Sequence, residues 1–278
     1  MFWVRVLTDK IDIVIIGGGP AGISAALMAR NRGKTAVIVS LDPSGSGLYK
    51  AELISNYPGL PDITGAELHE RMRNHAQSVG IEFIRGRVIG VSKHSGGFFT
   101  AVGSDVYDSA AIILATGVTQ KSSFPGELEL LGMGVSYCAV CDGMLYRGKR
   151  VAVISLSPDG EHESEFLRNI GCEVEHFTRD SGKFAINGTD RVSSLTVGSN
   201  EYPVDGVFIF RNSVALNYIM PNLNIVDNHI ETDRSMKTSV DGVFAAGDCT
   251  GKPYQIAKAV GEGSVAALSA ADFIDKNK

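Results

Sequence analysis

Residues 11 to 22 read Ile11-Asp12-Ile13-Val14-Ile15-Ile16-Gly17-Gly18-Gly19-Pro20-Ala21-Gly22, an apolar run that passes directly into a glycine-rich turn. The apolar run has the length and composition of a buried strand. The residues from about Ala21 to Arg32 have a helical pattern, and Thr35 to Val39 form a further apolar run. The order of these segments predicts a βαβ unit, and the glycine spacing in its first turn is typical of a dinucleotide-binding site.

Each glycine of this turn has its own physical task. Gly17 permits a tight turn, Gly19 lets the backbone approach a pyrophosphate, and Gly22 allows the helix to pack closely on the strand. The N–H groups at the start of the helix would then bind the phosphates. An acidic residue that binds the ribose is expected at the end of the second strand. That strand ends at Ser40, while nearby Asp42 opens a segment that reads equally well as a turn, so the ribose-binding residue stays open.

A second βαβ unit is predicted later in the chain. Val151 to Ile154 form its first strand, Glu161 to Asn169 its helix, and Glu173 to Phe177 its second strand. Two βαβ units in one chain indicate two doubly wound lobes.

Two further strands that run into a glycine, Gly117 in residues 111–117 and Gly247 in residues 242–248, flank the second unit and complete the first lobe. The sequence therefore predicts an α/β protein of two doubly wound, three-layer Rossmann-like lobes, with the second inserted in the first. We expect the first lobe, which would bind the dinucleotide, to comprise residues 1–117 and 233–278. The inserted lobe, which carries a Cys-x-x-Cys motif and a degenerate nucleotide-binding unit, would comprise residues 118–232.

Length and charge restrict the function further. The chain has 278 residues, of which 44% are hydrophobic, enough for about two domains. Its net charge of −5 gives no broad positive field, so we expect no nucleic-acid partner. The apolar start at residues 1–6 is too short for a signal peptide, and no stretch approaches the roughly 18 apolar residues of a membrane span. We therefore expect no membrane association and a cytoplasmic location.

The second chemical motif is Cys138-Ala139-Val140-Cys141. Its spacing lets one thiolate attack a disulfide of a partner while the other resolves the mixed disulfide. Asp142 follows directly and could act as general acid or base. The alternative is half of a zinc site, but no second cysteine or histidine pair supplies the remaining ligands. Cys172 and Cys249 are expected to be ordinary buried thiols.

The histidines give no sign of a metal site. None of the six pairs with another at ligand spacing, and no metal is expected. His69 and His75 share the segment from Gly65 to Val79, which is predicted to be a solvated amphipathic helix.

Taken in order, these motifs resemble the low-molecular-weight, flavin-dependent thioredoxin reductase family over nearly the whole chain. The matching segments are Gly17 to Gly22, Asn56-Tyr57-Pro58-Gly59, Ala115-Thr116-Gly117, Phe124-Pro125-Gly126-Glu127, Gly134 to Gly143, Met236 to Val240 and Gly242 to Asp248. The resemblance implies FAD as the cofactor, thioredoxin as the disulfide substrate, and a homodimer whose lobes rotate relative to each other.

The resemblance also implies residue roles. Cys141 would face the flavin and form the bond to it, Cys138 would attack thioredoxin, and Asp142 would handle the proton. The expected cofactor-binding residues are Gly17, Gly19, Pro20, Ala21, Gly22, Ser40, Leu48, Asn56, Val88, Ala115, Thr116, Gly117, Gly247, Asp248, Tyr254, Gln255 and Ile256.

The chain departs from the family in the first lobe at three places. Ser40 stands where the family has an acid, Gly47 where it has Gln, and Tyr254 to Ile256 where it has an Arg-Gln-Ala trio. The helix that begins near Tyr254 is rich in small residues through Ala271. Its N-terminus could stabilise the negative charge of a reduced flavin, and the alternative is a plain packing helix.

The inserted lobe departs further. Its first turn reads Ser155-Leu156-Ser157-Pro158-Asp159-Gly160, in which one glycine remains. The helix that follows carries Glu161, Glu163 and Glu165 near its start, where negative side chains oppose the binding of a pyrophosphate. The paired arginines of the family are replaced by Thr178-Arg179-Asp180. This pattern predicts a lobe without a bound nucleotide, and the alternative is a divergent but working NADPH site.

The leading hypothesis is therefore a thioredoxin-disulfide reductase that takes single electrons from ferredoxin, since the chain resembles the pyridine-nucleotide-independent, ferredoxin-linked branch of the family. FAD suits this role because it accepts electrons singly and delivers two. An acidic ferredoxin would bind a local basic patch, for which Arg147-Gly148-Lys149-Arg150 and Arg30-Asn31-Arg32-Gly33-Lys34 are candidates. Two other hypotheses are a small-molecule dithiol oxidase, which would pass electrons to oxygen, and a non-catalytic module that retains the fold.

Overall fold

The computed structural model of the protein describes residues 5–117, 124–157, 160–211 and 219–277, with the side chains of all of these except residues 5–9, 45 and 141. The chain divides into two compact units. The first lobe comprises residues 1–120 and 213–278, and the second lobe comprises residues 121–212. The second lobe is thus inserted in the first along the chain.

The elements are numbered in chain order. The strands are β1 (Arg5–Ile16), β2 (Ala36–Ser40), β3 (Glu82–Arg85), β4 (Val88–His94), β5 (Gly97–Val102), β6 (Asp105–Leu114), β7 (Val135–Ser136), β8 (Arg150–Leu156), β9 (Glu173–Thr178), β10 (Phe184–Gly188), β11 (Val192–Val197), β12 (Asn200–Pro203), β13 (Gly206–Arg211), β14 (Ile225–Val226), β15 (His229–Ile230) and β16 (Val243–Ala245). The helices are α1 (Pro20–Asn31), α2 (Gly65–Ser78), α3 (Ala139–Asp142), α4 (Gly160–Asn169) and α5 (Ile256–Lys276). Short 3-10 turns lie at Pro43–Gly45, Gly143–Tyr146, Arg179–Ser181 and Asp248–Thr250.

A parallel sheet forms the centre of the first lobe. Its strands follow the order β3-β2-β1-β6, and β16 pairs with the end of β6. The register places Ile15 opposite Ile38 on one side and Ile113 on the other. These side chains are fully buried, as expected for parallel strands that are covered on both faces.

Two layers cover this sheet. On one face, alanines of α1 and α5 join the same hydrophobic cluster as Ile13 and Ile15. On the other face, β4 and β5 continue the sheet from β6 in antiparallel pairing and contribute Val88 and Phe98 to a second cluster with Val14 and Ile16. The three-layer arrangement of the prediction is confirmed.

The second lobe contains a four-stranded parallel sheet, β7-β13-β8-β9, and a three-stranded antiparallel sheet, β10-β11-β12. Val151, Val153, Phe208 and Phe210 of the parallel sheet pack with Leu167 of α4 in one buried cluster. The predicted βαβ unit of the inserted lobe is therefore present as β8, α4 and β9.

The inserted lobe ends earlier than the sequence pattern suggested. We placed its end at residue 232, whereas the compact unit ends at Asn212. The reason is packing: Ile219, Met220, Leu223 and Ile230 belong to the first-lobe cluster that contains Ile16. These apolar residues lie far from their partners in the sequence, so a local pattern does not reveal where they pack.

Within the described ranges, none of the helices combines the length and the apolar character that crossing a membrane requires.

A buried ion pair in the second lobe joins Arg211 to Glu127, close to the Cys138-x-x-Cys141 segment. Arg211, the last residue of β13, binds both carboxylate oxygens of Glu127, with 2.7 Å between Nη2 and Oε2. The Tyr137 hydroxyl donates to Oε1 of Glu127 at 2.8 Å, and the backbone N–H of Phe124 donates to Oε2 at 2.7 Å. The Glu127 carboxylate is only 2% exposed, so these four donors replace its water.

We expect Glu127→Gln to lower the free energy of unfolding by about 3–5 kcal/mol, because it leaves the Arg211 charge buried without its partner. Urea denaturation followed by circular dichroism measures the loss. The matched control is Glu67→Gln, which breaks the exposed Glu67–Arg71 pair and should cost less than about 1 kcal/mol. Equal losses in the two variants would contradict the structural role of the buried pair.

Candidate functional site

The carboxyl ends of four parallel strands meet at one edge of the first-lobe sheet. Gly17 follows β1, Ser40 ends β2, Ala115 follows β6, and Gly247 lies two residues after β16. Backbone hydrogen bonds hold these ends together: Gly17 N–H to Val39 O at 2.8 Å, Ala115 N–H to Ile16 O at 2.8 Å, and Ala246 N–H to Leu114 O at 2.9 Å. Ligands of doubly wound folds bind at this edge. The structure therefore brings together predicted site residues from distant parts of the chain.

The glycine turn is packed too closely for side chains at two of its positions. Gly17 has a φ of +120°, and a Cβ there would lie 2.1 Å from the carbonyl oxygen of Ala115. A Cβ on Gly22 would lie 1.9 Å from the carbonyl oxygen of Gly17. A Cβ on Gly19, by contrast, would meet nothing within 4 Å. Gly17 and Gly22 are thus required by the packing of the protein itself, while open space lies beside Gly19.

That open space fits a pyrophosphate. Gly19 is the N-cap of α1 without any side-chain cap, and Pro20 lies at the first helical position. The first turn of α1 contains no acidic residue, so the partial positive charge of the helix N-terminus is not neutralised there. Pro20 and Ala21 lie in this turn, at the sheet edge formed by the carboxyl ends of the parallel strands, where backbone N–H groups can bind phosphate oxygens.

The end of β2 clarifies the two ribose candidates. A Cβ on Gly18 would lie 2.8 Å from the Ser40 hydroxyl oxygen, so Ser40 contacts the glycine turn directly. The Asp42 carboxylate accepts a hydrogen bond from the backbone N–H of Ser44 at 2.9 Å. The hydrogen bonds from Ser44 hold the pKa of Asp42 below its usual range, with a smaller contribution from the Arg85 guanidinium. Asp42 thus stabilises a local turn, and Ser40 is the polar side chain against the glycine turn.

The loop after β16 lies against the first turn of α1. Gly247 has a φ of +88°, and a Cβ there would lie 2.9 Å from Cβ of Ala21. Lys258 donates to the carbonyl oxygens of Gly247 at 2.9 Å and Gly251 at 2.7 Å. The Glu262 carboxylate accepts from the Gly247 N–H at 2.9 Å. This ion pair between Lys258 and Glu262 therefore fixes the loop that carries Asp248.

Asp248 is the acidic side chain of that loop. Burial raises its pKa, while the nearby Lys258 ammonium acts in the opposite direction. The carboxyl group is therefore held in a partly desolvated position at the strand edge.

The other predicted cofactor residues lie in the same lobe. The Asn56 amide donates to Oε1 of Gln255 at 3.0 Å, which joins the segment before α2 to the start of α5. The Tyr254 hydroxyl lies 2.8 Å from Nε2 of His229. The carbonyl oxygen of Leu48 would lie 1.7 Å from a Cβ on Gly65. Thr116 and Gly117 follow Ala115, and Ile256 is the first residue of α5. Val88 is buried in β4, on the sheet face opposite α1.

His69 contacts the glycine turn, which the sequence prediction missed. We expected a solvated helix face, but His69 is only 5% exposed and its Nε2 donates to the carbonyl oxygen of Gly18 at 2.9 Å. The burial of His69 could have been predicted from helical spacing, because it shares one stripe of α2 with the other buried residues, Gly65, Leu68 and Ala76. A polar residue on such a stripe indicates a buried polar contact.

The dithiol segment lies in the second lobe, with Cys138 between β7 and α3 and Cys141 within α3. Cys138 is 8% exposed and disulfide-bonded, and the side chain of Cys141 lies outside the described residues. Cys172 and Cys249 are free, buried thiols. Burial raises the pKa of Cys249 to about 11 and raises that of Cys172 as well. Neither thiol is a good nucleophile near neutral pH, which leaves the Cys-x-x-Cys motif for disulfide chemistry.

Asp142 is tied to the same segment by Ser136. The Ser136 hydroxyl donates to Oδ2 of Asp142 at 2.6 Å, and the backbone N–H of Cys138 donates to Oγ of Ser136 at 3.1 Å. No role was predicted for Ser136, because nothing in its local pattern shows that its hydrogen-bond partner lies six residues further along the chain.

The first turn of the second lobe differs from that of the first lobe. A Cβ on Gly160 would lie 1.9 Å from the hydroxyl oxygen of Ser155, so a side chain occupies the space beside the helix start. The first turn of α4 carries Glu161 and Glu163. His176 of β9 lies 3.2 Å from the Glu161 carboxylate. Pro158 and Asp159 lie outside the described residues.

The segment Thr178-Arg179-Asp180 is exposed and runs from the last residue of β9 into a 3-10 turn, with the Thr178 N–H bound to the Ser181 hydroxyl at 3.0 Å. No group of three or more His, Cys, Asp or Glu side chains placed to hold a metal ion occurs among the described residues.

Comparison with known proteins agrees with this geometry. The sequence matches the family described as Pyridine nucleotide-disulphide oxidoreductase over residues 11–182 and 171–263. The chain belongs to this family. It is 32% identical over 304 residues to the thioredoxin reductase of Bacillus subtilis (strain 168), which covers 96% of each chain.

Two solved structures are also similar to this member of the family. A ferredoxin-flavin thioredoxin reductase from Clostridium acetobutylicum has a TM-score of 0.91 and 37% identity, covering 97% of this chain and 99% of that chain. A thioredoxin reductase from Gloeobacter violaceus has a TM-score of 0.84 and 29% identity, covering 97% of this chain and 95% of that chain. The predicted family is therefore confirmed. The predicted FAD cofactor is confirmed as well, because the proteins of this family and its thioredoxin reductases bind FAD.

We expect Gly19→Ala to lower the affinity for FAD at least about tenfold, which corresponds to about 1.4 kcal/mol. The added methyl group meets no protein atom, so the unfolding of the FAD-free chain should not change, but it occupies the space beside the helix N-terminus. Flavin absorbance per chain after dialysis measures the binding.

Gly22→Ala is the matched comparison. Its Cβ would lie 1.9 Å from the Gly17 carbonyl oxygen, so it should destabilise the FAD-free chain as well. A Gly19→Ala protein that retains FAD like the unmodified chain would refute this position for the pyrophosphate.

Proposed function

We propose that this pyridine nucleotide-disulphide oxidoreductase is a thioredoxin-disulfide reductase that takes its electrons from reduced ferredoxin and not from NADPH. The observation that carries the proposal is the contrast between the two glycine turns. The first lobe has an open, uncapped helix start at Gly19, whereas the second lobe has Ser155 packed against Gly160 and two glutamates in the first turn of α4.

The first lobe would hold the cofactor. The N-terminus of α1 binds the pyrophosphate, Ser40 lies where a ribose hydroxyl would bind, and the loop of Asp248 closes the edge of the site. Asn56 and Gln255 hold each other in place at the start of α5. When bound, the flavin accepts electrons singly and supplies two to a disulfide.

The second lobe would carry the disulfide chemistry. In the dithiol form, the Cys138 thiolate attacks the thioredoxin disulfide, so that one S–S bond breaks and a mixed disulfide forms. The Cys141 thiolate then attacks the Cys138 sulfur, which restores the Cys138–Cys141 disulfide and releases thioredoxin with two thiols. Asp142 would accept a proton from the attacking thiol. These roles extend to this chain what the family resemblance implies.

The second lobe is poorly suited to a pyrophosphate. A bound anion at the start of α4 would be repelled by the negative charges of Glu161 and Glu163, and the Glu161 carboxylate already interacts with His176 and Arg168. The similarity to structures described as ferredoxin-flavin thioredoxin reductases supports the same choice of donor. A homodimer and a cytoplasmic location belong to the proposal as further expectations.

The two basic clusters differ in how much charge they can offer a ferredoxin. In the cluster from Arg30 to Lys34, Lys34 is buried against Asp275, and Arg32 pairs with Asp272 at 3.0 Å. In the cluster from Arg147 to Arg150, all three cationic residues are exposed. The only ion pair found for that cluster among the described residues joins Arg150 to Glu173 at 3.8 Å. We therefore place the ferredoxin-binding surface at Arg147, Lys149 and Arg150.

We expect reduced ferredoxin, and neither NADPH nor NADH, to bleach the flavin rapidly in an anaerobic titration of the oxidised protein. The reason is that the first turn of α4 carries Glu161 and Glu163, whose negative charges oppose the binding of a pyrophosphate. Stopped-flow absorbance with each donor measures the rates. Bleaching by NADPH within the turnover time would overturn the proposed donor while leaving thioredoxin reduction intact.

We also expect the double variant Arg147→Glu/Lys149→Glu to raise the KM for ferredoxin about tenfold and to weaken its salt dependence, because rim charges act mainly on association. The matched control, Arg30→Glu/Arg32→Glu, makes the same change in net charge in the other cluster. Steady-state rates at several ionic strengths measure both. If the control has the larger effect, the docking surface lies elsewhere.

A further inference from the structure

Ser136 lies at the centre of a short hydrogen-bonded chain next to the dithiol. It ends β7, is 2% exposed, and pairs in register with Phe208 of β13. Its Oγ lies 2.6 Å from Oδ2 of Asp142 and 3.1 Å from the backbone nitrogen of Cys138. It also lies 3.3 Å from the carbonyl oxygen of Cys138.

The direction of each hydrogen bond follows from the groups involved. The Cys138 N–H can only donate, so the Ser136 oxygen accepts there. The hydroxyl has a single hydrogen, which goes to the nearer acceptor, the Asp142 carboxylate. A separation of 2.6 Å is typical of an O–H donor bound to an ionised carboxylate. The chain therefore runs from Cys138 N–H to Ser136 and from the Ser136 hydroxyl to Asp142.

This chain connects both ends of the dithiol segment. Asp142 is the last residue of α3, and its own N–H donates to the Cys138 carbonyl oxygen at 3.3 Å. A helix of four residues gives little rigidity by itself. The hydrogen bond from Ser136, a buried strand residue that also accepts from the Cys138 N–H, restrains the Asp142 carboxylate near the Cys138 backbone.

We propose that Ser136 is a positioning residue for proton transfer at the dithiol: its hydroxyl orients the Asp142 carboxylate relative to Cys138. The inference rests on the proposed disulfide reduction. In that reaction a cysteine thiol gives its proton to the carboxylate as it becomes the attacking thiolate. A carboxylate that rotates freely would make this transfer less often, because the alignment of the groups would be lost.

The test is a double-mutant cycle on the FAD-loaded protein with Ser136→Ala, Asp142→Asn and the combined variant. Ser136→Ala should lower kcat for thioredoxin reduction about tenfold or more and leave the KM for thioredoxin unchanged within about twofold. Flavin reduction by the electron donor should be unaffected. In the Asp142→Asn background, Ser136→Ala should cause no further loss, since its effect passes through the carboxylate.

Two variants separate positioning from folding. Ser164→Ala removes another fully buried serine hydroxyl of the second lobe, which donates to the Gly160 carbonyl oxygen at 2.9 Å, and should leave kcat unchanged. Ser136→Thr keeps the hydroxyl and should restore kcat to within about threefold of the unmodified chain. Flavin content and the unfolding midpoint verify that each variant is folded.

Three results would overturn the inference: a kcat for Ser136→Ala within twofold of the unmodified chain, losses that add fully in the combined variant, or a folded Ser136→Thr that is as slow as Ser136→Ala. Failure of the proposed function would look different. A Cys141→Ser variant should trap thioredoxin as a mixed disulfide through Cys138. If no such adduct forms with Ser136 intact, the disulfide-reductase proposal fails whatever Ser136 does.

Discussion

The approach of three backbone segments without intervening side chains is the constraint on which the first lobe depends. Gly17 contacts the Ala115 carbonyl, and Gly22 contacts the Gly17 carbonyl, at separations that no Cβ could tolerate. This contact sets the helix start close to the ends of β1 and β6, and the loop of Gly247 then packs on Ala21. Only because the helix is held so close does the uncapped turn at Gly19 lie at the strand edge, where its N–H groups can bind phosphate.

The second lobe shows that the same fold can be kept while this constraint is released. Its strand, helix and second strand follow the same order, yet Ser155 fills the space beside Gly160 and the helix start carries two glutamates. The packing of β8 against α4 is preserved by Leu167 and Val153. The fold of this lobe is therefore no evidence for a bound nucleotide. Nucleotide binding depends on the sequence of the turn, whereas the fold forms without it.

Local pattern was sufficient to predict both βαβ units and the glycine turn, because strand runs, helical periodicity and glycine spacing lie within about 30 residues. It failed where the deciding partner lies far away in the sequence. The inserted lobe was expected to end at residue 232, but the compact unit ends at Asn212, because the segment of Ile219 and Ile230 packs on strands from the first half of the chain. His69 was misjudged for a different reason: its position on the apolar stripe of α2 was visible, but its acceptor, the Gly18 carbonyl, was not. Ser136 and Glu127 likewise act through partners that periodicity does not specify.

The pairing of charges was likewise not predictable from local sequence. The two basic clusters look equivalent in sequence, but Arg32 and Lys34 meet Asp272 and Asp275, which lie 240 and 241 residues further along the chain. Paired charges of this kind produce only a weak field beyond their own contact, since each cation is cancelled within a few ångströms. On a protein with a net charge of −5, an acidic partner is repelled on average and attracted only where cations remain unopposed. The spacing of acids around each basic residue in the folded chain, and not the count of basic residues in a stretch of sequence, therefore decides where such a partner can approach.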